Sequence, residues 1–169
     1  MKPTVSLRAW VKDDARQLAL VANNKKIWNN LRDTIPYPYT TIDAEKWIAH
    51  CHMQKPMMNF AVVYDTAIAG SIGCVAKTDV YRKSMEIGYF IGEQYWNRGV
   101  ATQAVNLLLQ YIQQQFDVLR IYAEVYAHNK ASMEVLRKNG FYLESIRRKS
   151  AIKNNVLLDD YVWVKILDR

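Results

Sequence analysis

The chain has 169 residues, half of them apolar and 12% aromatic, a composition that supports a buried core and excludes an intrinsically disordered protein. No window holds the roughly 18 consecutive apolar residues of a membrane span, and the opening MKPTVSLRAW lacks the apolar core of a secretory leader, so we expect no membrane partner. The net charge of +7 favours anionic partners, but the basic residues are spread along the chain, which argues against nucleic acid.

The N-terminal part of the chain predicts one strand followed by helices. TVSLRAW alternates apolar and polar residues and predicts the strand, and Ala15 to Ala22 has helical spacing. The residues that follow predict a broken helix and then a loop, because Pro36 and Pro38 push the residues before them towards extended conformations. Thr41 is predicted to cap the next helix, which runs to Cys51.

The central part predicts three strands and a long helix. NFAVVYD and AIAGSIGCVAK flank the polar turn Asp65-Thr66 and predict a hairpin, and SMEIGYFI predicts the next strand. Beyond it, apolar residues recur at helical spacing and predict the buried face of a helix. These residues are Ala104, Val105, Leu108, Leu109, Ile112 and Phe116.

The C-terminal part adds a strand, a helix and two further strands. RIYAEVY predicts the strand and KASMEVLRKNG the helix, with Gly140 suited to its C-terminal cap. The last strands are predicted at about residues 141–150 and 156–167. This order predicts an α/β (α+β) fold with a mixed sheet covered by helices. No linker interrupts residues 1–169, so we expect a single domain.

YWNRGVATQA, between a predicted strand and a predicted helix, is a candidate anion-binding segment. The first N–H groups of a helix have no acceptor within it, and the helix dipole adds partial positive charge. Gly99 lets a ligand approach the backbone closely, and Arg98 adds a full charge. Taken alone, the segment fits a plain turn into a packed helix somewhat better, and it matches neither the Walker A pattern nor G-x-G-x-x-G.

Three segments together carry a family resemblance that covers nearly the whole chain. SMEIGYFIGEQYWNRGVATQAV, HNKASMEVLRKNGF and, upstream of both, RDTIPYPYTTIDAEKWI resemble the GNAT family of N-acetyltransferases, in the branch that contains the ribosomal-protein-alanine N-acetyltransferases. The resemblance implies a mixed, mostly antiparallel sheet flanked by helices, with a splayed parallel strand pair. It also implies acetyl-coenzyme A as the co-substrate.

The resemblance places the coenzyme chiefly on main-chain groups. The family's pyrophosphate loop falls on residues 96–101, where Trp96 stands in place of the family's Arg or Gln. The amides expected to hold the phosphates are those of Arg98, Gly99, Val100, Ala101 and Thr102. Main-chain groups of Tyr89 and Ile91 correspond to those that meet the pantetheine arm, and Asn129 to the family's cofactor-contacting Asn.

Acetyl transfer to an amine needs a neutral nucleophile, a polarised thioester carbonyl and a proton for the departing thiolate. A ternary complex supplies much of the acceleration by positioning, and a main-chain N–H near Ile91 is a candidate to polarise the carbonyl. Glu86, on the strand that leads into the site, is the candidate general base, with a pKa that partial burial is expected to raise. The alternative is that Glu86 pairs with a neighbouring Lys or Arg. Glu124 is the second choice.

Ser132 is the candidate general acid. Many family members carry a Tyr seven residues after the conserved Asn, where this chain has Leu136. Ser132, three residues after Asn129, is similar to a serine of the ribosomal branch and is a candidate to deliver a proton to sulfur. The alternative is a serine that satisfies a backbone group at the start of a helix.

The acceptor entrance is assigned, by the same resemblance, to the segment that contains Pro36 and Pro38 and the residues just before them. Trp28, Arg32, Tyr37 and Tyr39 are expected to line it, and the alternative is core packing by Trp28 and a surface turn formed by the tyrosines.

His50-Cys51-His52 does not predict a metal site. Two histidines two residues apart do not share a helix face, and no further ligands stand at a suitable spacing. Cys51 and Cys74 are far apart and outside any C-x-x-C spacing, which favours reduced thiols and a cytoplasmic protein.

The sequence therefore predicts an acetyl-coenzyme A-dependent N-acetyltransferase that acts by direct attack in a ternary complex. The acceptor is expected to be a primary amine, with a peptide or protein N-terminus ahead of a small molecule such as an antibiotic or a metabolite. The alternative from another class is a catalytically silent module that binds acyl-coenzyme A. The sequence does not determine whether the chain forms a homodimer.

Overall fold

A computed structural model describes residues 4–168; residues 1–3, which begin the segment MKPTVSLRAW, and residue 169 lie outside it. The strands are β1 Val5–Arg8, β2 Asn59–Tyr64, β3 Ala67–Ala76, β4 Ser84–Ile91, β5 Arg120–Tyr126, β6 Tyr142–Lys153 and β7 Val156–Ile166. The helices are α1 Ala15–Ala22, α2 Lys25–Trp28, α3 Thr41–His52, α4 Val100–Gln115 and α5 Lys130–Lys138. Within residues 4–168, no helix is long and apolar enough to cross a membrane.

The seven strands form one sheet in the order β1-β2-β3-β4-β5-β7-β6. Neighbouring strands are antiparallel except β4 and β5, which are parallel. This parallel pair is short, because its register ends at Glu86 opposite Tyr122. Both strands continue beyond that point without pairing with each other, so a gap opens in the middle of the sheet. The predicted mostly antiparallel sheet with a splayed parallel pair is confirmed.

Two cores lie on opposite faces of the sheet, and the alternation of β2 shows why. Phe60 and Val62 pack with the buried side of α4, whereas Ala61 and Val63 pack with α1 and α3. The predicted apolar face of α4 is buried from Ala104 to Ile112, and Phe116 ends the helix as its C-terminal cap.

The boundaries of most elements follow the sequence pattern, and two details differ. The turn Asp65-Thr66 joins β2 to β3 as predicted. The α3 cap is Thr40 and not Thr41: its Oγ1 accepts the N–H of Asp43, and the Asp43 carboxylate accepts the N–H of Thr40. The broken helix contains one regular turn, α2, so that three helices precede β2.

Candidate active site

The gap between β4 and β5 opens into a cleft of about 1700 Å³. Its walls include β3, β4 and β5, the N-terminal ends of α4 and α5, one side of α3, the loop after α2, and parts of β6 and β7. Main-chain groups dominate the end beside α4, and charged side chains dominate the end beside Glu86.

At the first end, the N-terminus of α4 faces the cleft without a side-chain cap. Gly99 is the N-cap residue of this helix and has a φ of 76°, a left-handed conformation that residues with a side chain rarely adopt. The first bond into the helix runs from the N–H of Gln103 to the Gly99 carbonyl. The N–H groups of Val100, Ala101 and Thr102 precede it and are therefore free of helical acceptors.

The exposed edge of β4 points towards the same gap. The main-chain groups of Ser84 and Gly92 form hydrogen bonds on the β3 side. Because main-chain groups along a strand point alternately to its two edges, those of the odd-numbered residues Tyr89 and Ile91 point to the other edge, into the gap. The Ile91 carbonyl accepts a hydrogen bond from the indole N–H of Trp96 at 2.7 Å. Of the two main-chain groups of Ile91, the N–H is therefore the one available to a ligand in the gap. Trp96, the departure from the family pattern, thus ties the loop before α4 to the end of β4. The Arg98 side chain is exposed and does not line the cleft.

Ser132 lies across the gap from β4, in the first turn of α5. The Asn129 side chain caps this helix by accepting the N–H of Ser132 at 3.2 Å. The Tyr89 hydroxyl lies 2.9 Å from Ser132 Oγ and 3.3 Å from the Ser132 carbonyl oxygen. Burial raises the pKa of Tyr89 to about 12, so this phenol stays protonated. Leu136, one turn further along α5, is fully buried.

Glu86 lies at the point where the parallel strands part. Its Oε2 accepts the Lys77 ammonium at 2.8 Å and lies 3.4 Å from the Tyr122 hydroxyl, and its Oε1 pairs with Arg32. Burial raises the pKa of the Glu86 carboxyl, but the Lys77 hydrogen bond and the Arg32 charge outweigh burial and hold the pKa below its ordinary value. The expected raised pKa was wrong, because Glu86 pairs with Lys and Arg, as the alternative had it.

The ion pairs continue from Glu86 to the neighbouring strands. Arg32 also lies 3.3 Å from Glu124 Oε2, and Glu124 Oε1 lies 2.8 Å from Arg147. Arg147 in turn pairs with the buried Asp160. We call the side chains of this connected set the acceptor-end network: Arg32, Lys77, Glu86, Glu124, Arg147 and Asp160.

The four residues predicted at the acceptor entrance separate into two pairs. Arg32 and Tyr39 line the cleft. Trp28 and Tyr37 do not line it: their rings lie 5.5 Å apart behind the loop, and the Trp28 indole donates to the Ile35 carbonyl at 2.9 Å. Lys153, near the tip of the β6–β7 hairpin, stands 3.4 Å from the centroid of the Trp28 ring, so Trp28 fixes the loop against that hairpin.

Sequence reasoning missed Lys77, Tyr122, Arg147 and Asp160. For Tyr122 a signal was available, because RIYAEVY alternates and places Tyr122 on the same side of the strand as Glu124. Arg147 and Asp160 lie on β6 and β7 and Lys77 just after β3, and the sequence pattern does not specify how these segments pair. Within residues 4–168, no three His, Cys, Asp or Glu side chains form a group that could hold a metal ion.

Comparison with known proteins identifies the family. The family model described as the acetyltransferase (GNAT) domain matches residues 4–142. The chain belongs to the GNAT family. A Bacillus subtilis (strain 168) protein named "Probable N-acetyltransferase YjcK" is 35% identical over 100 residues, which are 57% of this chain and 55% of that protein. The chain thus spans about half the length of this curated relative, whose name specifies no acceptor.

Two further acetyltransferases, whose names specify an acceptor, are similar to this chain. The spermidine N(1)-acetyltransferase of Escherichia coli (strain K12) is 26% identical over 141 residues, covering 83% of this chain and 74% of that protein. The structure of RimL, a ribosomal alpha-N-protein acetyltransferase, in complex with coenzyme A has a TM-score of 0.84 and 21% identity, covering 98% of this chain and 95% of that one. At this identity the likeness shows the GNAT fold.

Proposed function

We propose that this chain transfers an acetyl group from acetyl-coenzyme A to a primary amine, by direct attack of the amine in a ternary complex. The observation that carries the proposal is the gap between β4 and β5, flanked by the uncapped N-terminus of α4. GNAT membership supports the reaction class, and the complex of RimL with coenzyme A supports the co-substrate.

The first end of the cleft fits a phosphate-bearing coenzyme. The N–H groups from Gly99 to Thr102, together with that of Arg98, are the donors proposed for the pyrophosphate, because a helix N-terminus favours negative charge and a glycine leaves its approach open. The inward main-chain groups of Tyr89 and Ile91 suit the amides of the pantetheine arm. Asn129 contributes its remaining amide N–H groups, since its oxygen is used as the α5 cap.

The chemistry joins the amine nitrogen to the thioester carbon and releases the coenzyme as a thiol. The Ile91 N–H is the candidate donor to the carbonyl oxygen, where charge develops. Glu86 is the proton acceptor for the amine, directly or through water, and it is ionised at neutral pH, as a glutamate with an ordinary or a lowered pKa is. Ser132 is the donor to the departing sulfur, and Tyr89 holds its hydroxyl in place.

A peptide or protein N-terminus is the acceptor that we place ahead of a small amine. The structural likeness to RimL supports it. A polycation such as spermidine is disfavoured, because each carboxylate of the acceptor-end network is already paired with Lys or Arg.

The test follows coenzyme A release with a thiol reagent. One panel holds peptides with free N-termini, each with an N-terminally blocked copy as its control, and a second panel holds small primary amines. We expect turnover on the free peptides that exceeds turnover on the small amines and is lost in the blocked copies. Tight coenzyme binding with no turnover on either panel would overturn the proposal in favour of a silent acyl-coenzyme A module.

We propose further that residues 1–169 act as a single acetyltransferase domain in the cytoplasm. Cys51 and Cys74 are buried and free, in keeping with reduced thiols. A homodimer is kept as a proposal that measurement of the molar mass in solution decides.

A further inference from the structure

Arg32 occupies a position in the acceptor-end network that the proposed reaction does not explain. It lies on the loop after α2, lines the cleft, and reaches over the gap to the carboxylates of Glu86 and Glu124, which belong to β4 and β5. Its side chain is 62% exposed, whereas those of Glu86 and Glu124 are 14% and 24% exposed. Arg32 is therefore the solvent-facing cation above two sheltered carboxylates.

The arginine has hydrogen-bonding capacity to spare. A guanidinium carries five N–H donors in a planar fork that matches a carboxylate or a phosphate. The hydrogen bonds of Arg32 to other groups within residues 4–168 all use Nη2. Its remaining donors are available to an anion that enters the cleft from solvent.

The carboxylates do not depend on Arg32 alone. Glu86 keeps the Lys77 ammonium at 2.8 Å, and Glu124 keeps Arg147 at 2.8 Å. Arg32 can therefore move away from either carboxylate without leaving an unpaired buried charge, which is the costly outcome in such networks. The network is built so that this one cation is exchangeable.

Exchange of Arg32 also changes what Glu86 can do. While Arg32 is bound, the Glu86 Oε1 is engaged by Arg32 and its Oε2 by Lys77, with the Tyr122 hydroxyl nearby, so neither oxygen is open to the proton of an amine. When Arg32 leaves, Oε1 becomes open. The loss of its charge also raises the pKa of Glu86 and makes it a stronger base.

We propose that the acceptor is an amine that also carries an anionic group, a carboxylate or a phosphate, and that this group draws Arg32 away from Glu86 and so frees the base. This inference rests on the proposed acetyl transfer and names the chemical class of its acceptor. Arg32 is then a residue that sets specificity and couples acceptor binding to the release of Glu86.

A cationic acceptor has no equivalent route. To reach a carboxylate of the network, an ammonium group must compete with the Lys77, Arg32 or Arg147 cation already bound there. A neutral amine binds without moving Arg32 and meets Glu86 in its paired form. The order of acceptors that we expect is anionic, then neutral, then cationic.

The experiment measures kcat/KM by coenzyme A release with acceptors matched in shape. Tripeptide amides carry Asp or Glu at the first, second or third position, and each is paired with its Asn or Gln copy and with a Lys copy. Small α-amino acids and their amides form a second arm, which separates a peptide carboxylate from the carboxylate of a small molecule. Phosphoserine and serine peptides supply the phosphate.

In the unsubstituted protein, at least one anionic acceptor is expected to exceed its neutral copy by roughly 10-fold or more, the size of a charge-assisted hydrogen-bonded pair. In Arg32→Gln this ratio should fall to about one, and the rate on the neutral copy should rise, because Glu86 Oε1 is then open without an anion. Arg32→Lys, which keeps the charge but not the fork, should retain part of the preference. Arg16→Gln, at an exposed arginine on α1 away from the cleft, is the matched control and should behave as the unsubstituted protein.

The pH profile supplies a readout that a merely structural role of Arg32 would not move. The acid limb of kcat/KM reports Glu86 in the free enzyme, and that of kcat reports it in the complex. The Glu86 carboxylate must be ionised to accept a proton, so a raised Glu86 pKa moves the acid limb of the pH profile to higher pH. With an anionic acceptor the limb of kcat should lie above that of kcat/KM; with the neutral copy, and in Arg32→Gln, the two should coincide.

The outcomes are distinguishable. Turnover of neutral and anionic copies at equal kcat/KM, or a preference for anions that survives in Arg32→Gln, would overturn this inference and leave acetyl transfer standing. Binding of coenzyme A without turnover of any acceptor would overturn the proposed function and this inference with it. If Arg32→Gln fails to bind coenzyme A, Arg32→Lys decides, since a full anionic preference without the fork contradicts the proposal.

Discussion

The two ends of the cleft are formed by different kinds of chemical group. The end beside α4 consists of main-chain N–H groups, held by the left-handed Gly99 and by the Trp96 indole bonded to the Ile91 carbonyl. The end beside Glu86 consists of charged side chains from six segments of the chain, paired with one another. The first is fixed once the backbone folds, whereas the second has members that can exchange partners.

This difference matches what each end is proposed to do. A coenzyme that is the same in every turnover is suited to a backbone site, because main-chain donors change little with side-chain substitution. An acceptor must be selected, and selection by charge requires side chains. We therefore expect substitutions at the first end to abolish binding of the coenzyme, and substitutions at the second to change rates and preferences.

The largest effect is expected for Gly99→Asp. A carboxylate at the N-terminus of α4 places a negative charge against the amides proposed for the pyrophosphate, and the side chain adds strain at a φ of 76°. We expect binding of coenzyme A to weaken by roughly 100-fold or more, as measured by titration calorimetry.

Gly99→Asn is the matched control for this change. Asn has nearly the same size as Asp and tolerates the left-handed conformation better than most residues, but it carries no charge. It should keep most of the affinity. If Asn and Asp weaken coenzyme A binding equally, the size of the side chain and not its charge determines the loss, and that result would contradict an anion site at these amides.

The sequence predicted the two ends with unequal success. The strands SMEIGYFI and RIYAEVY coincide with β4 and β5, and the segment between strand and helix forms the uncapped helix start. These features follow from local pattern, from a glycine and from alternation. The ion pairs do not, because Arg32 is 54 residues from Glu86 and 92 from Glu124 along the chain.

The pKa of Glu86 shows the consequence of that limit. Position on a half-buried strand predicted a raised pKa, since burial alone acts in that direction. The opposite result depends on Lys77 and Arg32, two cations whose approach is set by tertiary pairing. Sequence reasoning located the carboxylate and could not determine its charge environment.

The second effect, in order of size, separates Glu86 from Glu124. Glu86→Gln removes the proposed base and is expected to lower kcat by roughly 100-fold, with coenzyme affinity unchanged. Glu124→Gln alters the other carboxylate shared by Arg32 and should lower kcat by less than about 5-fold. Steady-state kinetics on both variants decide the assignment, and the reverse order of losses would transfer the base to Glu124.

A smaller loss is expected for Tyr89→Phe. The hydroxyl that lies 2.9 Å from Ser132 Oγ is removed, while the ring keeps its packing. Because Tyr89 is proposed to act through Ser132, we expect kcat to fall by roughly 10-fold and KM for the acceptor to change little.

The double variant tests that dependence. In a Ser132→Ala background, Tyr89→Phe should cost nothing further, since the group that it positions is already gone. Losses that multiply in Tyr89→Phe/Ser132→Ala would show that the phenol acts independently of the serine.

The smallest effect is expected at the back of the acceptor loop, where Lys153 joins the loop to the β6–β7 hairpin. Its ammonium lies 3.4 Å from the centroid of the Trp28 ring and 2.6 Å from Asp33 Oδ1, and the residue is 3% exposed. Lys153→Met keeps an unbranched apolar side chain but removes both interactions. We expect the free energy of unfolding to fall by about 1–2 kcal/mol, seen as a lower Tm.

Lys130→Met is the matched control. Lys130 lies over the Tyr161 ring at 5.2 Å but is exposed, so removal of its ammonium should leave the Tm nearly unchanged.

The two ends of the cleft should also respond differently to Lys153→Met. The loop that carries Arg32 loses its contacts with Lys153, so KM for the acceptor should rise a few-fold, roughly the effect of one weakened contact. The amides at α4 have no contact with this anchor, and the affinity for coenzyme A should stay the same. An equal change in both constants would show that the two ends are not independent.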